Sequence, residues 1–163
     1  MTLNEDTPTT ITLTGSDVDG NTLTYTVQNP PTNGTLSGTA PNLTYTPALN
    51  YNGSDNFTFI VNDGTVNSAA ATVSITVNPL NDAPVANNQS VTTPEDVPVA
   101  ITLTATDADG NALTYSIVSI PANGTLSGSG ANRTYTPNLN FNGLDNFTLK
   151  VKLSDPLKFK LGV

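Results

Sequence analysis

The chain of 163 residues contains no cysteine, histidine or tryptophan, and only five basic residues against thirteen acidic ones. Without cysteine, disulfides cannot staple a small domain. Lysine is absent before position 150, so a Lys–Asn isopeptide crosslink is excluded from the body as well. Bound divalent cation is the remaining candidate staple. Without histidine or cysteine, acid–base or nucleophilic chemistry would fall to carboxylate pairs, and the chain reads as a non-enzyme. The acidic excess argues against nucleic acid as a partner. No apolar run approaches the roughly 18 residues of a membrane span, so no membrane insertion is expected. Met1 is followed by Thr-Leu-Asn-Glu and not by a signal peptide, so the chain reads as a piece of something longer.

What is present is a duplication. Glu5 to Val61 aligns without a gap on Glu95 to Val151, ninety positions downstream, with 35 of 57 positions identical. This divides the chain into two modules, 1–80 and 81–163, each near the size at which a single core becomes marginal. Met1 to Leu149 carries twelve carboxylates against Arg133 alone, and such a surface repels itself unless salt or cations screen it.

Strand signals recur throughout both copies. Ile11 and Leu13 share one face of a threonine-rich run; Leu23, Tyr25 and Val27 alternate with Thr22, Thr24 and Thr26; Phe57, Phe59 and Val61 and then Val73, Ile75 and Val77 do the same. Period-two alternation describes antiparallel strands with one buried face. Turn signals separate them, and Asn33-Gly34 predicts a tight hairpin with positive φ. The class is all-β, a β-sandwich in each copy. Asn78 to Pro84, with two prolines, reads as a semi-rigid linker. Val85 to Val91 reads as the opening strand of the second copy, and the first copy is expected to begin without most of that strand. At the other end, Leu157, Phe159, Leu161 and Val163 alternate with Lys158 and Lys160, which predicts an atypical, lysine-containing closing strand.

The residues that invite chemistry are the paired loops Asp17-Val18-Asp19-Gly20-Asn21 and Asp107-Ala108-Asp109-Gly110-Asn111. Alternating Asp residues ahead of a Gly offer several hard oxygen ligands to one Ca²⁺, which takes six to eight. The same residues are also ordinary turn formers, each for a local reason. Both readings stay open at this level.

Asn81-Asp82-Ala83-Pro84, Glu95-Asp96, Asp107-x-Asp109-Gly110-Asn111, Asn123-Gly124-Thr125-Leu126 and the series Tyr135-Thr136-Pro137, Asn142-Gly143, Phe147 together resemble the bacterial cadherin-like, Ig-like tandem repeats of large surface adhesins. The resemblance covers nearly all but the last dozen residues. It implies two tandem Greek-key sandwiches on a secreted or cell-surface protein. By position it also implies a junctional Ca²⁺ held by Glu5, Asn81, Asp82, Asp107 and Asp109. Asp17 and Asp19 would be half-sites toward a preceding module, and Glu95 toward a following one. The cadherin Leu-Asp-Arg-Glu segment has no counterpart, and Asp63 is replaced by Leu153 in the second copy.

The functional reading is a structural, adhesive repeat element acting as a calcium-stiffened spacer, with neighbouring modules, copies of itself, or surface glycans and proteins as partners. One alternative is a subunit of an extracellular filament, assembled head to tail by strand complementation. A second is a carbohydrate-binding module, for which the sequence offers no cluster of exposed aromatics.

Overall fold

The computed structural model describes residues 1–154, and the expected closing strand in the tail lies outside them. The chain divides into two compact units, Met1–Leu80 and Asn81–Val163, and among the described residues every regular element is a strand.

The first unit is a seven-stranded sandwich. Strands β1 (Thr2–Asn4), β7 (Ala71–Asn78), β6 (Gly53–Asn62) and β3 (Thr24–Asn29) form one sheet in the order β1-β7-β6-β3. Strands β2 (Thr9–Thr12), β5 (Asn42–Pro47) and β4 (Gly34–Thr39) form the other, in the order β2-β5-β4. The chain crosses between sheets at β1–β2, β2–β3, β3–β4 and β5–β6, so both sheets are assembled from strands distant in sequence. The alternating residues meet where the pattern placed them: Leu3, Ile11, Leu13, Leu43, Tyr45, Phe57, Phe59, Ile75 and Val77 form one buried cluster. Each large side chain taken out of water there contributes about 1.5–3 kcal/mol before entropy is counted. The Tyr25 and Phe59 rings pack at a centroid separation of 6.4 Å, tilted by 34°.

At the N-terminus β1 runs parallel to β7, pairing Thr2 with Thr76 and Asn4 with Asn78, and Leu3 is buried. One sequence expectation is corrected in this unit: the chain makes no hairpin at Asn33-Gly34. β3 and β4 belong to different sheets, and Gly34 is not among the positive-φ residues. The two-residue hairpin lies one strand later, at Ala40-Pro41 between the paired Thr39 and Asn42. Gly34 answers a different demand: a Cβ there would stand 2.5 Å from Tyr45 Cε2 and 2.6 Å from the Thr46 carbonyl oxygen.

The second unit repeats the plan in part. Strands β9 (Val99–Thr102), β13 (Asn132–Pro137) and β12 (Gly124–Ser129) form the three-stranded sheet, in the order β12-β13-β9. Strands β11 (Leu113–Ser119) and β14 (Thr148–Leu153) pair as β3 and β6 do, with Tyr115 opposite Val151 and the same register shift, here between Ile117 and Ser119. The opening strand expected over 85–91 is shorter: β8 (Val85–Ala86) pairs with β10 (Ala105–Thr106) for two residues. β14 has six residues where β6 has ten. Of the large apolar residues only Ile101 and Leu103 are fully buried among the described residues of this unit.

Candidate functional site

The acidic loops are built as turns closed by their own carboxylates. Asp17 Oδ1 accepts the amides of Asp19 (3.0 Å) and Asn21 (2.9 Å), and Gly20 takes φ 75°, a left-handed conformation that glycine adopts without strain. Asp107 Oδ1 accepts the Asn111 amide at 2.9 Å, and Gly110 repeats the geometry at φ 69°. Local turn chemistry explains one oxygen of each first Asp. The other oxygen of Asp107, Oδ2, is buried and has no hydrogen-bond partner.

Of the five residues expected at a junctional metal, Asn81, Asp82 and Asp109 are linked by hydrogen bonds within the second unit, and Asp107 closes the loop that carries Asp109. Asp109 Oδ2 accepts the Asp82 amide at 2.7 Å, and Asn111 Nδ2 donates to Asn81 Oδ1 at 3.3 Å. Asn81 Nδ2 in turn donates to the Asp82 carbonyl at 2.8 Å. The linker is thereby tied to the Asp107–Asn111 loop, and Asp109 acts on the backbone at the entry to the module. Among the described residues, no group of three or more His, Cys, Asp or Glu side chains stands at metal-site spacing.

Glu5 belongs to the first unit and has a task there. It is 1% exposed; Oε1 accepts the Leu80 amide at 2.5 Å and Oε2 accepts Asn52 Nδ2 at 3.4 Å. The Glu5 amide also donates to the Asn78 carbonyl at 2.9 Å. A buried carboxylate is tolerated when hydrogen bonds replace its lost water, and this one seizes the chain as it leaves the module. Its repeat counterpart, Glu95, is exposed.

The polar site that sequence reasoning missed is Asp55, 4% exposed, with Tyr45 at 0%. Asp55 accepts the amides of Thr32 (3.1 Å), Asn33 (3.0 Å) and Asn56 (2.8 Å) and the Tyr45 hydroxyl (2.9 Å). Burial pushes its carboxyl up, but the Tyr45 hydroxyl and the three amides more than offset this, so Asp55 titrates below the ordinary carboxylate value. Burial, then the Asp55 carboxylate, drives the Tyr45 phenol well above its usual range. The second unit repeats the arrangement, with Asp145 accepting from Ala122, Asn123, Asn146 and Tyr135. The signal was available in the sequence: Tyr45 and Asp55 both recur ninety positions on, as Tyr135 and Asp145.

This is the architecture of an Ig-like sandwich, present twice in tandem, with carboxylates spent on backbone clamps at the module ends and on a Tyr–Asp contact inside. The chain belongs to the bacterial Ig domain family, which it matches at residues 1–76 and again at 81–156. A relative, integrin beta-like protein B of Dictyostelium discoideum, is 31% identical over 174 residues; the match covers 94% of this chain and 9% of that protein. Among solved structures, extracellular cadherin domains 3–6 of protocadherin gamma B2 are 18% identical over 93% of this chain and 44% of theirs, with TM-score 0.45. Mouse cadherin-23 EC22–24 is 21% identical over 91% of this chain and 60% of its own, with TM-score 0.41.

Proposed function

We propose that this chain is a spacer segment of a secreted or cell-surface adhesive protein, in which successive Ig-like modules are joined by linkers too short to swing freely. The observation that carries the reading is the fastening of the linker on both sides. The Leu80 amide is held by Glu5 of the first unit, the Asp82 amide by Asp109 of the second, and Asn81 between them by Asn111. A linker whose backbone donors are already engaged loses the freedom that a Gly/Ser-rich tether keeps.

Calcium completes this proposal on the second unit. Asn81, Asp82, Asp107 and Asp109 supply an all-oxygen set, and the buried Asp107 Oδ2 without a hydrogen-bond partner is the observation in its favour. With so few gathered carboxylates, such a site is completed by amide and backbone oxygens and water. Bound ion would offset the repulsion among the loop carboxylates and hold the linker to the loop.

The test is small-angle scattering on the whole chain, with and without millimolar calcium, compared with the double variant E5Q/D109N. The reading expects a narrow distribution of maximum dimension for the parent and a broader one for the variant. A parent chain already as broad as the variant would remove the spacer reading. An unchanged profile with calcium would remove the metal from it.

A further inference from the structure

The three-stranded sheet of the first unit ends on β4, the longest unbroken edge of that unit among the described residues. β5 pairs with it position by position, from Gly34 opposite Pro47 to Thr39 opposite Asn42. The other edges are shorter or interrupted: β1 has three residues, β2 has four, and β3 shifts register between Val27 and Asn29. The Ala48 amide donates to the Asn33 carbonyl at 2.8 Å, and bonded and unbonded pairs alternate along an antiparallel ladder. The backbone groups of Gly34 and Leu36 therefore point away from β5, and among the described residues no strand meets them there.

Two features set this edge apart in so acidic a chain. The whole sheet, Thr9–Thr12, Gly34–Thr39 and Asn42–Pro47, contains no Asp, Glu, Lys or Arg, although Met1 to Leu149 carries twelve carboxylates. The strand is also chemically palindromic: Gly34-Thr35-Leu36-Ser37-Gly38 reads glycine, hydroxyl, leucine, hydroxyl, glycine from either end, and both hydroxyl residues are exposed. The second unit repeats these five residues as Gly124-Thr125-Leu126-Ser127-Gly128, but beside a different neighbour. Arg133 stands where the first unit has the buried Leu43, and its Nη1 donates to the Gly128 carbonyl on the edge strand β12. Arg133 Nε is left buried without a partner, so the placement costs that unit a satisfied core position.

We propose that β4 of the first unit is a self-recognition edge, at which a second copy of this chain adds its own β4 antiparallel about a two-fold axis centred on Leu36. That register sets Leu36 against Leu36 of the second copy, Thr35 against Ser37 and Gly34 against Gly38. The two Leu36 backbones exchange hydrogen bonds, and the Thr and Ser hydroxyls face each other on the wet side. Self-complementarity and charge decide the occupant: like residues meet like across the axis, and two acidic chains approach through a sheet on which neither carries a carboxylate. Arg133 guards the equivalent edge. A cation on the edge and an occupied Gly128 carbonyl deny the same pairing to β12. With one edge open and one guarded, association closes at two chains instead of running on.

The experiment is sedimentation of the full chain across concentration in moderate salt, with hydrogen exchange on the same samples. The proposal expects the mass to double as concentration rises, with the amides of Gly34 and Leu36 slowed at least about tenfold and those of Gly124 and Leu126 unchanged. The double variant T35K/S37K sets like charges opposite each other across the axis and should hold the chain at a single copy, with an unchanged melting curve to show that it folds. R133L, which restores the first unit's residue, should carry the mass beyond two copies. A chain that stays single up to millimolar concentration overturns the proposal. So does a dimer whose Gly34 and Leu36 amides stay unprotected, or one that T35K/S37K leaves intact. An R133L chain that stops at two copies overturns the guard.

Discussion

The hydroxyl of Tyr45, on β5 of one sheet, donates at 2.9 Å to the carboxylate of Asp55, on β6 of the other. The same carboxylate gathers the amides of Thr32 and Asn33 in the crossover from β3 to β4. One side chain thus ties together both sheets and the connection between them, and in the second unit Asp145 gathers Tyr135 of β13 and the amides of Ala122 and Asn123 in the same way.

Removing either partner should therefore be costly, and unequally so. Y45F deletes one hydrogen bond and leaves Asp55 with three amides, so it should destabilise the first unit by about 1–2 kcal/mol. D55A leaves those amides and the Tyr45 hydroxyl unsatisfied in the interior and should cost about 3–5 kcal/mol. Urea unfolding followed by tyrosine fluorescence measures both; equal effects would show that Asp55 is not the hub.

The same pair sets a pH window. Asp55 and Asp145 have lowered folded values, so their contribution is present above the ordinary carboxylate value and is lost as pH falls through the folded one. Tyr45 and Tyr135 have raised folded values, so theirs is full below the ordinary phenol value and is lost as pH rises above it. Stability should be flat between about pH 5 and 9 and fall on both sides. Urea midpoints across pH check this, and Y45F should flatten the alkaline limb.

Gly34→Ala should destabilise by about 1–3 kcal/mol or more, because the added Cβ meets the Tyr45 ring and the Thr46 carbonyl oxygen. Gly64→Ala meets nothing within 4 Å, and its cost of about 1–2 kcal/mol comes from a φ of 101° alone. Combining each with Y45A separates the causes by double-mutant cycle: the penalty at Gly34 should shrink, and that at Gly64 should not.

The two units should not unfold together. Phe57 is fully buried and Phe147 only half so; F57A should cost about 3–5 kcal/mol in its unit, and F147A clearly less in its own. Calorimetry should resolve two transitions, with the lower one belonging to the second unit. A single transition shifted equally by both variants would contradict this.

Calcium at the second unit's entry loop predicts a rise in that lower transition with millimolar calcium, abolished by D107N and left intact by D17N. No rise in the parent would return Asp107 and Asp109 to turn and clamp roles alone.

Much of the strand plan was legible from residue order because it is local. Alternation at Leu23-Tyr25-Val27 and at Val73-Ile75-Val77 assigns each residue a face before any partner is known. Asn33-Gly34 misled for a physical reason: the pair is a strong local hairpin signal, but Gly34 is required by the approach of the Tyr45 ring, eleven positions away. Glu5, Asp82 and Asp109 are expected from the sequence as ligands of one junctional ion, and the structure gives Glu5 and Asp109 separate hydrogen bonds to the backbone. Their hydrogen bonds to the backbone amides of Leu80 and Asp82 were not legible, because Ala, Leu or Asp contribute the same amide and leave no mark in sequence.

By itself the sequence determined the all-β class, the two copies, the inward residues and the turns at Asp17–Asn21 and Asp107–Asn111, since each follows from periodicity or from the local preferences of Asp, Gly and Asn. Only the tertiary structure decided which carboxylates are occupied, and by which backbone groups. Glu5 reaches Leu80 across 75 positions because β1 pairs with β7, and Asp55 reaches Thr32 across 23 because the chain crosses between sheets there. Likewise Gly143–Phe147, whose sequence matches its copy at Gly53–Phe57 in four of five residues, forms no strand among the described residues. A strand is a property of two backbones, and residue order describes only one of them.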